Sequence, residues 1–190
     1  MKKIKLIFTL VALAFLAGCA AGVNFKKMGE DQLVLGETKK STVLAVMGEP
    51  SGKGTSTFNG IELDIINYAY AKVGANAVLP DVTAARAQGF LFNNGKLVGK
   101  EYTSSFAEDN TLFSVEKAKT IKRGQSKAKV RAIMGKPRGG YLYPIIDDKN
   151  GTAYVYLFTQ TIGFKSKSDL FVVEFNNKGK VTKTKLTSNG

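Results

Sequence analysis

The feature that most narrows the fold is a stretch that occurs twice. Gly124-Gln-Ser-Lys-Ala-Lys-Val-Arg-Ala-Ile-Met-Gly135-Lys-Pro137 has an earlier counterpart, Gly36-Glu-Thr-Lys-Lys-Ser-Thr-Val-Leu-Ala-Val-Met-Gly48-Glu-Pro50, with one extra residue between its glycines. Each copy predicts one short helix with a start and a stop. Thr38 and Ser126 are placed to accept hydrogen bonds from the unpaired N–H groups of a first turn. Gly48 and Gly135 can take the left-handed conformation that closes a helix, and the proline two residues on forbids its continuation. Val43, Val46 and Met47 share one helical face, as do Val130, Ile133 and Met134.

The chain around the two stretches repeats as well. After the first come a polar, glycine-rich turn at Ser51 to Thr57 and an alternating strand from Ile61 to Tyr70. A long loop, Gly74 to Ala84, leads to strands Ala85 to Phe92 and Lys96 to Thr103, joined through Asn93-Asn94-Gly95, residues that tolerate positive φ. The polar run Ser104 to Thr111 links to the second half. There a turn after Pro137, a strand from Thr152 to Phe158, a loop from Thr159 to Ser168 and a hairpin of Leu170 to Phe175 with Lys180 to Leu186 follow in the same order. Tyr68-Ala-Tyr70 aligns with Tyr154-Val-Tyr156 at a separation of 86, Phe92-Asn-Asn with Phe175-Asn-Asn at 83, and the helices at 87 to 88. Matches at nearly one offset point to duplication. The expected class is α+β: two tandem units, each a three-stranded antiparallel sheet with one face covered by a short helix, and a second helix at Glu116 to Lys119.

The N-terminus reads as an export signal. Lys2, Lys3 and Lys5 precede an apolar run from Ile4 to Leu16 that is short for a membrane span. Leu16-Ala17-Gly18-Cys19 follows, and Cys19 is the only cysteine of the chain. These four residues resemble a bacterial lipobox, which implies cleavage before Cys19 and its acylation. Ala20 in the sorting position, where aspartate would retain the product at the inner membrane, implies the outer membrane. The resulting plan is a signal peptide at 1–18, a tether at 19–32, a first unit at 33–110 and a second at 111–190.

The glycine-hydroxyl start, the apolar helix ending Met-Gly-x-Pro, the Tyr-x-Tyr strand and the Asn-rich hairpin resemble the SmpA/OmlA (BamE-like) family of outer-membrane lipoproteins. Their tandem arrangement is similar to the β-lactamase inhibitory protein. The resemblance spans Leu33 to Leu186 and rests on caps, turns and core residues, so it implies fold more directly than function. It implies a scaffold or accessory factor in outer-membrane assembly, or alternatively a membrane-tethered inhibitor of a hydrolase. In the second case the loops Gly74 to Ala84 and Thr159 to Ser168 would make the contacts.

The chemistry favours a non-enzyme. With no histidine and Cys19 reserved for lipid, histidine-assisted nucleophilic catalysis and the common zinc sites are excluded. Glu62 and Asp64 alternate on one strand without a third ligand nearby, and Asp147-Asp148-Lys-Asn-Gly151 lacks the ligand spacing of a calcium loop. No metal or cofactor is expected. Charge is divided unevenly: residues 19–110 carry 9 Lys/Arg against 10 Asp/Glu, and residues 111–190 carry 16 against 5. In the periplasm such a basic half would meet anionic phospholipid, lipopolysaccharide phosphates or an acidic protein surface, and not nucleic acid. Lys127 and Arg131 on the helix, with Lys183 and Lys185 on the last strand, are the candidate residues for an anionic partner; a solvated surface is the equal alternative. Tyr68, Tyr70, Tyr154 and Tyr156 either line an open sheet face or, as the fold favours, pack under the helices. Phe164, between Gly163 and Lys165, is the candidate exposed anchor for an envelope protein.

Overall fold

The computed structural model describes residues 20–189. Cys19 and the signal segment lie outside the described residues. In chain order the elements are β1 (Ala20–Gly22), α1 (Lys40–Met47), β2 (Gly52–Phe58), β3 (Ile61–Lys72), β4 (Ala84–Asn93), β5 (Lys96–Ser104), α2 (Val115–Lys119), α3 (Lys127–Met134), β6 (Gly139–Tyr141), β7 (Thr152–Ile162), β8 (Lys165–Phe175) and β9 (Val181–Asn189). All the strands belong to one nine-stranded sheet in the order β1-β3-β4-β5-β6-β7-β8-β9, with β2 also paired to β3. β1 and β2 share that outer edge, β1 against residues 70–72 and β2 against residues 61–67.

The α+β expectation holds, with few helices on a large antiparallel sheet. The strands of both halves join in one continuous sheet. The short strand β6 pairs with β5 on one side and β7 on the other and makes the sheet continuous. Sequence patterning could not show it, because two of its three residues are glycine. Those glycines are required by crowding: a Cβ at Gly139 would lie 2.5 Å from the Lys100 carbonyl oxygen, and one at Gly140 would lie 3.0 Å from that of Ala153. β2 was hidden for a related reason. Its Gly-Lys-Gly-Thr-Ser-Thr run has no apolar alternation and reads as a turn, yet it completes an edge along β3.

The helices cover one face of the sheet. Under α1, Val43 packs with Ile66, Tyr68, Phe90, Phe92 and Leu97; under α3, Val130 packs with Tyr156, Phe171, Val173, Phe175 and Val181. The same hydrogen bonds seat both helices on their hairpins. Gly36 N–H donates to the Leu97 carbonyl and Gly124 N–H to that of Val181, at 2.7 and 2.9 Å; Lys40 and Lys127 N–H groups donate to the carbonyls of Gly95 and Gly179. A β-bulge interrupts the hairpins at matching places, between Leu91 and Phe92 and between Glu174 and Phe175. At the helix ends the Tyr68 hydroxyl donates to the Gly48 carbonyl at 2.7 Å, and the Tyr156 hydroxyl to that of Gly135 at 3.0 Å. Tyr68 therefore occupies the place of Tyr156, two residues from the pairing that the Tyr-x-Tyr motifs suggest.

The helix starts differ. Ser126 caps α3 by accepting from the Lys129 N–H, whereas the N-cap of α1 is Lys39, with no side-chain bond. Thr38, expected as a cap, instead accepts from Val34 N–H and closes the preceding turn. The extra residue in the first copy displaces it.

Two further expectations are corrected. The presumed tether is part of the fold: β1 joins the sheet, and Phe25 and Met28 are buried in the first core. Phe25 meets the Tyr68 ring at 5.9 Å, as Phe113 meets Tyr156 at 6.1 Å. The supposed loop Thr159 to Ser168 is mostly ladder, since β7 and β8 stay paired out to Ile162 and Lys165. Its serines and threonines hydrogen-bond across the strands, Thr159 to Ser168 and Thr161 to Ser166, both at 2.9 Å. By contrast, the loop between β3 and β4 is present as expected.

The opposite sheet face is partly covered by the segment after β6. Leu142, Ile145 and Ile146 lie over Leu63, Leu91, Val98, Val155 and Val172, and a Cβ at Gly99 would strike Ile145.

Candidate interaction surfaces

Strand alternation decides where the candidate cations lie. On β8, Phe171, Val173 and Phe175 face α3, so Leu170, Val172 and Glu174 face the other way. Lys183 is paired with Glu174 and Lys185 with Val172, on the face turned from the helices. Lys127 and Arg131 are on α3. The four residues are thus not one patch; the sheet separates them into two pairs.

The pairs also differ in chemistry. The Lys127 ammonium lies 5.9 Å from the Tyr154 ring centroid and 5.6 Å from that of Phe175. Burial holds its pKa below the ordinary lysine value. Its stem seals the rim of the core while the charge sits over the rings. Arg131 is exposed one turn on. Lys183 is locally balanced, 3.2 Å from Asp147 and 3.6 Å from Glu174. The hydrogen bond to Asp147, first, and the Glu174 charge push its pKa upward. Lys185 is exposed beside it.

The tyrosines take the core reading. Tyr68 and Tyr156 are buried, and Tyr70 and Tyr154 pack against the two helix-side clusters. Glu62 accepts from Thr55 and Asp64 pairs with Lys40 at 3.1 Å. Among the described residues there is no group of three or more acidic, histidine or cysteine side chains placed to hold a metal. Asp148 accepts from Asn150 N–H at 2.9 Å, and Asp147 from Asn59 and Lys183; this is a turn tied to its neighbours.

Phe164 is the most exposed of the candidates, at 96%. It occupies the second position of a two-residue turn whose first position, Gly163, has φ 58°, the arrangement of a type II′ hairpin. Ile162 beside it is 50% exposed.

Two features escaped the sequence reading. The first is Arg86 on β4, the only arginine before residue 123. Its guanidinium lies 5.4 to 5.8 Å from the ring centroids of Phe25, Phe106 and Tyr70, and donates to the Phe25 carbonyl at 2.9 Å and to Asn24. Asp109 stands 3.9 Å away and accepts from Tyr102 and Ser104 at 2.5 Å and Lys27 at 3.1 Å. Burial alone would raise the Asp109 carboxyl, but these bonds and the Lys27 charge outweigh it and hold the pKa below the ordinary value. A lone arginine in an alanine-rich strand was the available signal. The second is a cleft of about 200 Å³ at the end of α3, where Phe113, Met134 and Tyr156 adjoin Lys136 and Arg138. Its residues come from three separate segments, which sequence spacing cannot bring together. Glu101, at the joint of β5 and β6, accepts from the Tyr141 hydroxyl, and burial raises its pKa. No described helix is long and apolar enough to cross a membrane.

Residues 110–185 match the family model described as the outer membrane protein assembly factor BamE domain. The matched region contains α2, α3, β6, β7, β8 and the first part of β9. Among solved structures, a Streptococcus mutans protein described as a candidate beta-lactamase inhibitor aligns over 83% of this chain and 91% of its own. It is 14% identical, with a TM-score of 0.44. No curated protein matches the chain.

Proposed function

We propose that this protein is a lipoprotein of the outer membrane, facing the periplasm and anchored through an acylated Cys19. There it acts without catalysis as a scaffold or accessory factor in outer-membrane assembly. The observation that carries the proposal is the BamE-domain match over residues 110–185, reinforced by Leu16-Ala17-Gly18-Cys19 at the end of an export signal. The repeated helix seats, matching bulges and tyrosine-to-glycine bonds support reading the whole chain as two such units, one nearly neutral and one strongly basic.

An envelope protein is the proposed main partner. The α3 surface is its best docking place, because Arg131 is exposed there beside a cleft with aromatic walls and the cations Lys136 and Arg138. Anionic lipid or lipopolysaccharide phosphate would use Lys127 and Arg131 or Lys185, each on its own face. The inhibitor reading is weakened by the observed hairpin, since one of its two expected contact loops is regular ladder.

The test is in-cell crosslinking from a photoreactive residue at Ala128, exposed on α3, with the same probe at Thr57, exposed on the far edge strand β2, as control. A defined envelope partner at Ala128 is the expected outcome. Equal, diffuse products from both positions would sink the scaffold reading.

A further inference from the structure

The start of the described chain and the most exposed of the described aromatics are at one end of the sheet. The first described residue, Ala20, is paired with Lys72 at the end of β3, and Lys72 is paired with Ala84 at the start of β4. The chain therefore arrives from Cys19 at this rim. The Thr83 N–H donates to the Thr161 carbonyl at 2.8 Å, so the tip of the β7–β8 hairpin stands on the same rim, one residue further out. Three apolar side chains project there: Phe164 at 96% exposure, Val73 at 63% and Ile162 at 50%. A type II′ turn holds Phe164 at the apex, and the Thr161–Ser166 bond braces the hairpin below it. Exposed Lys165 and Lys167 follow the apex on β8 and exposed Lys72 ends β3 on the same rim, while Asp81 and Glu108 are on the loops after β3 and β5.

We propose that this rim is a membrane-docking surface, with the Phe164 hairpin as a wedge that enters the lipid headgroup region beside the acyl anchor. The inference rests on the proposed acylation of Cys19. A flexibly tethered protein would sample all orientations, whereas an anchor plus a second point of insertion fixes one. An aromatic apex with an aliphatic neighbour and lysines behind suits an interface where the ring meets acyl chains and the ammonium groups meet phosphates. Insertion of the ring and its aliphatic neighbour is the main contribution, so added salt weakens docking little. With the rim on the membrane, α3 and its cleft remain open to a periplasmic partner.

The protein contains no tryptophan, so Phe164→Trp supplies a single depth probe at an exposed turn that tolerates it. The full chain is expressed with its own N-terminus, purified from membranes and reconstituted into phosphatidylethanolamine–phosphatidylglycerol vesicles. Emission is read with and without phospholipids brominated on the acyl chain. We expect a blue shift and about twofold quenching at position 164, little changed by salt or by exchanging the lipid for phosphatidylcholine. Lys178→Trp, at the opposite end of the sheet on the β8–β9 turn, should show neither. Water-like, unquenched emission at position 164 overturns the wedge. So does a blue shift that appears only when envelope protein is added, which would make the tip a protein contact. The mass of the N-terminal peptide from the same sample separates the two readings. An unacylated peptide with a quenched probe overturns the anchor and keeps the wedge; an acylated peptide with an unquenched probe does the reverse.

Discussion

The two halves of the sheet seat their helices through the same backbone bonds, yet the first adds polar bonds to the apolar hold on its upstream segment. In the second half the cover is apolar: Phe113, Ala118 and Ile121 lie against Tyr156 and Phe171. In the first half the place of Phe171 is taken by Gln88, 4% exposed. Its amide accepts from Met28 N–H at 3.0 Å and donates to the Met28 carbonyl at 3.1 Å. Lys100 adds a bond to the Leu33 carbonyl at 2.7 Å, and Lys27 joins Asp109. One scaffold can therefore close with either grease or a polar latch. The polar version fixes register, because each bond has one partner, and it leaves the first half sensitive to acid.

The largest effect should come from what the halves share. Phe92→Ala and Phe175→Ala each empty a fully buried site and should each cost about 3–5 kcal/mol in urea unfolding. A much smaller loss in one half would mean that its core is not equivalent.

Asp109→Ala strikes only the polar latch. It strands Lys27, Tyr102 and Ser104 and should cost about 2–3 kcal/mol. Because the folded pKa of Asp109 is depressed, its contribution is present above the ordinary carboxylate range and lost as pH falls through the folded value. Protection factors at residues 25–33, measured against the intrinsic exchange rate at each pH, should accordingly fall on acidification while those of residues 113–121 hold. An equal fall in both would erase the contrast.

Gln88→Leu sharpens it further. Leaving the Met28 backbone unpaired should cost about 1–3 kcal/mol, against roughly 1 kcal/mol for the apolar exchange Phe171→Leu. Thermal melts of the two variants make the measurement. The smallest contrast concerns the caps: Ser126→Ala should cost about 1 kcal/mol, and Lys39→Ala should stay within about 0.5 kcal/mol.

The helices and hairpins were legible because their signals are local. A glycine at a left-handed stop, a proline after it and an Asn-rich turn each act within a few residues. β2 and β6 were not legible, since what makes them strands is a neighbour's unpaired edge and not their own side chains. The N-terminal segment was misread for the opposite reason: its polar composition resembles a linker, while Phe25 and Met28 find their partners some 40 to 65 residues away in Tyr68 and Gln88. For the candidate surfaces, sequence places each pair of cations on its own element but does not relate the two elements in space. Lys127 and Lys183 have the same charge, and only the sheet between them shows that they cannot serve one ligand.

The last strand has a consequence beyond partner choice. Beyond Val181, whose outer groups bond Gly124 and Gln125, one side of β9 pairs with β8 and the other ends the sheet, so its backbone groups there could template a second sheet. Lys183 and Lys185 stand along that margin among threonines and serines, and a strand docking there in register would bring like charges opposite one another. At the membrane surface where the proposed acylation would crowd copies together, that repulsion opposes their fusing edge to edge into fibrils.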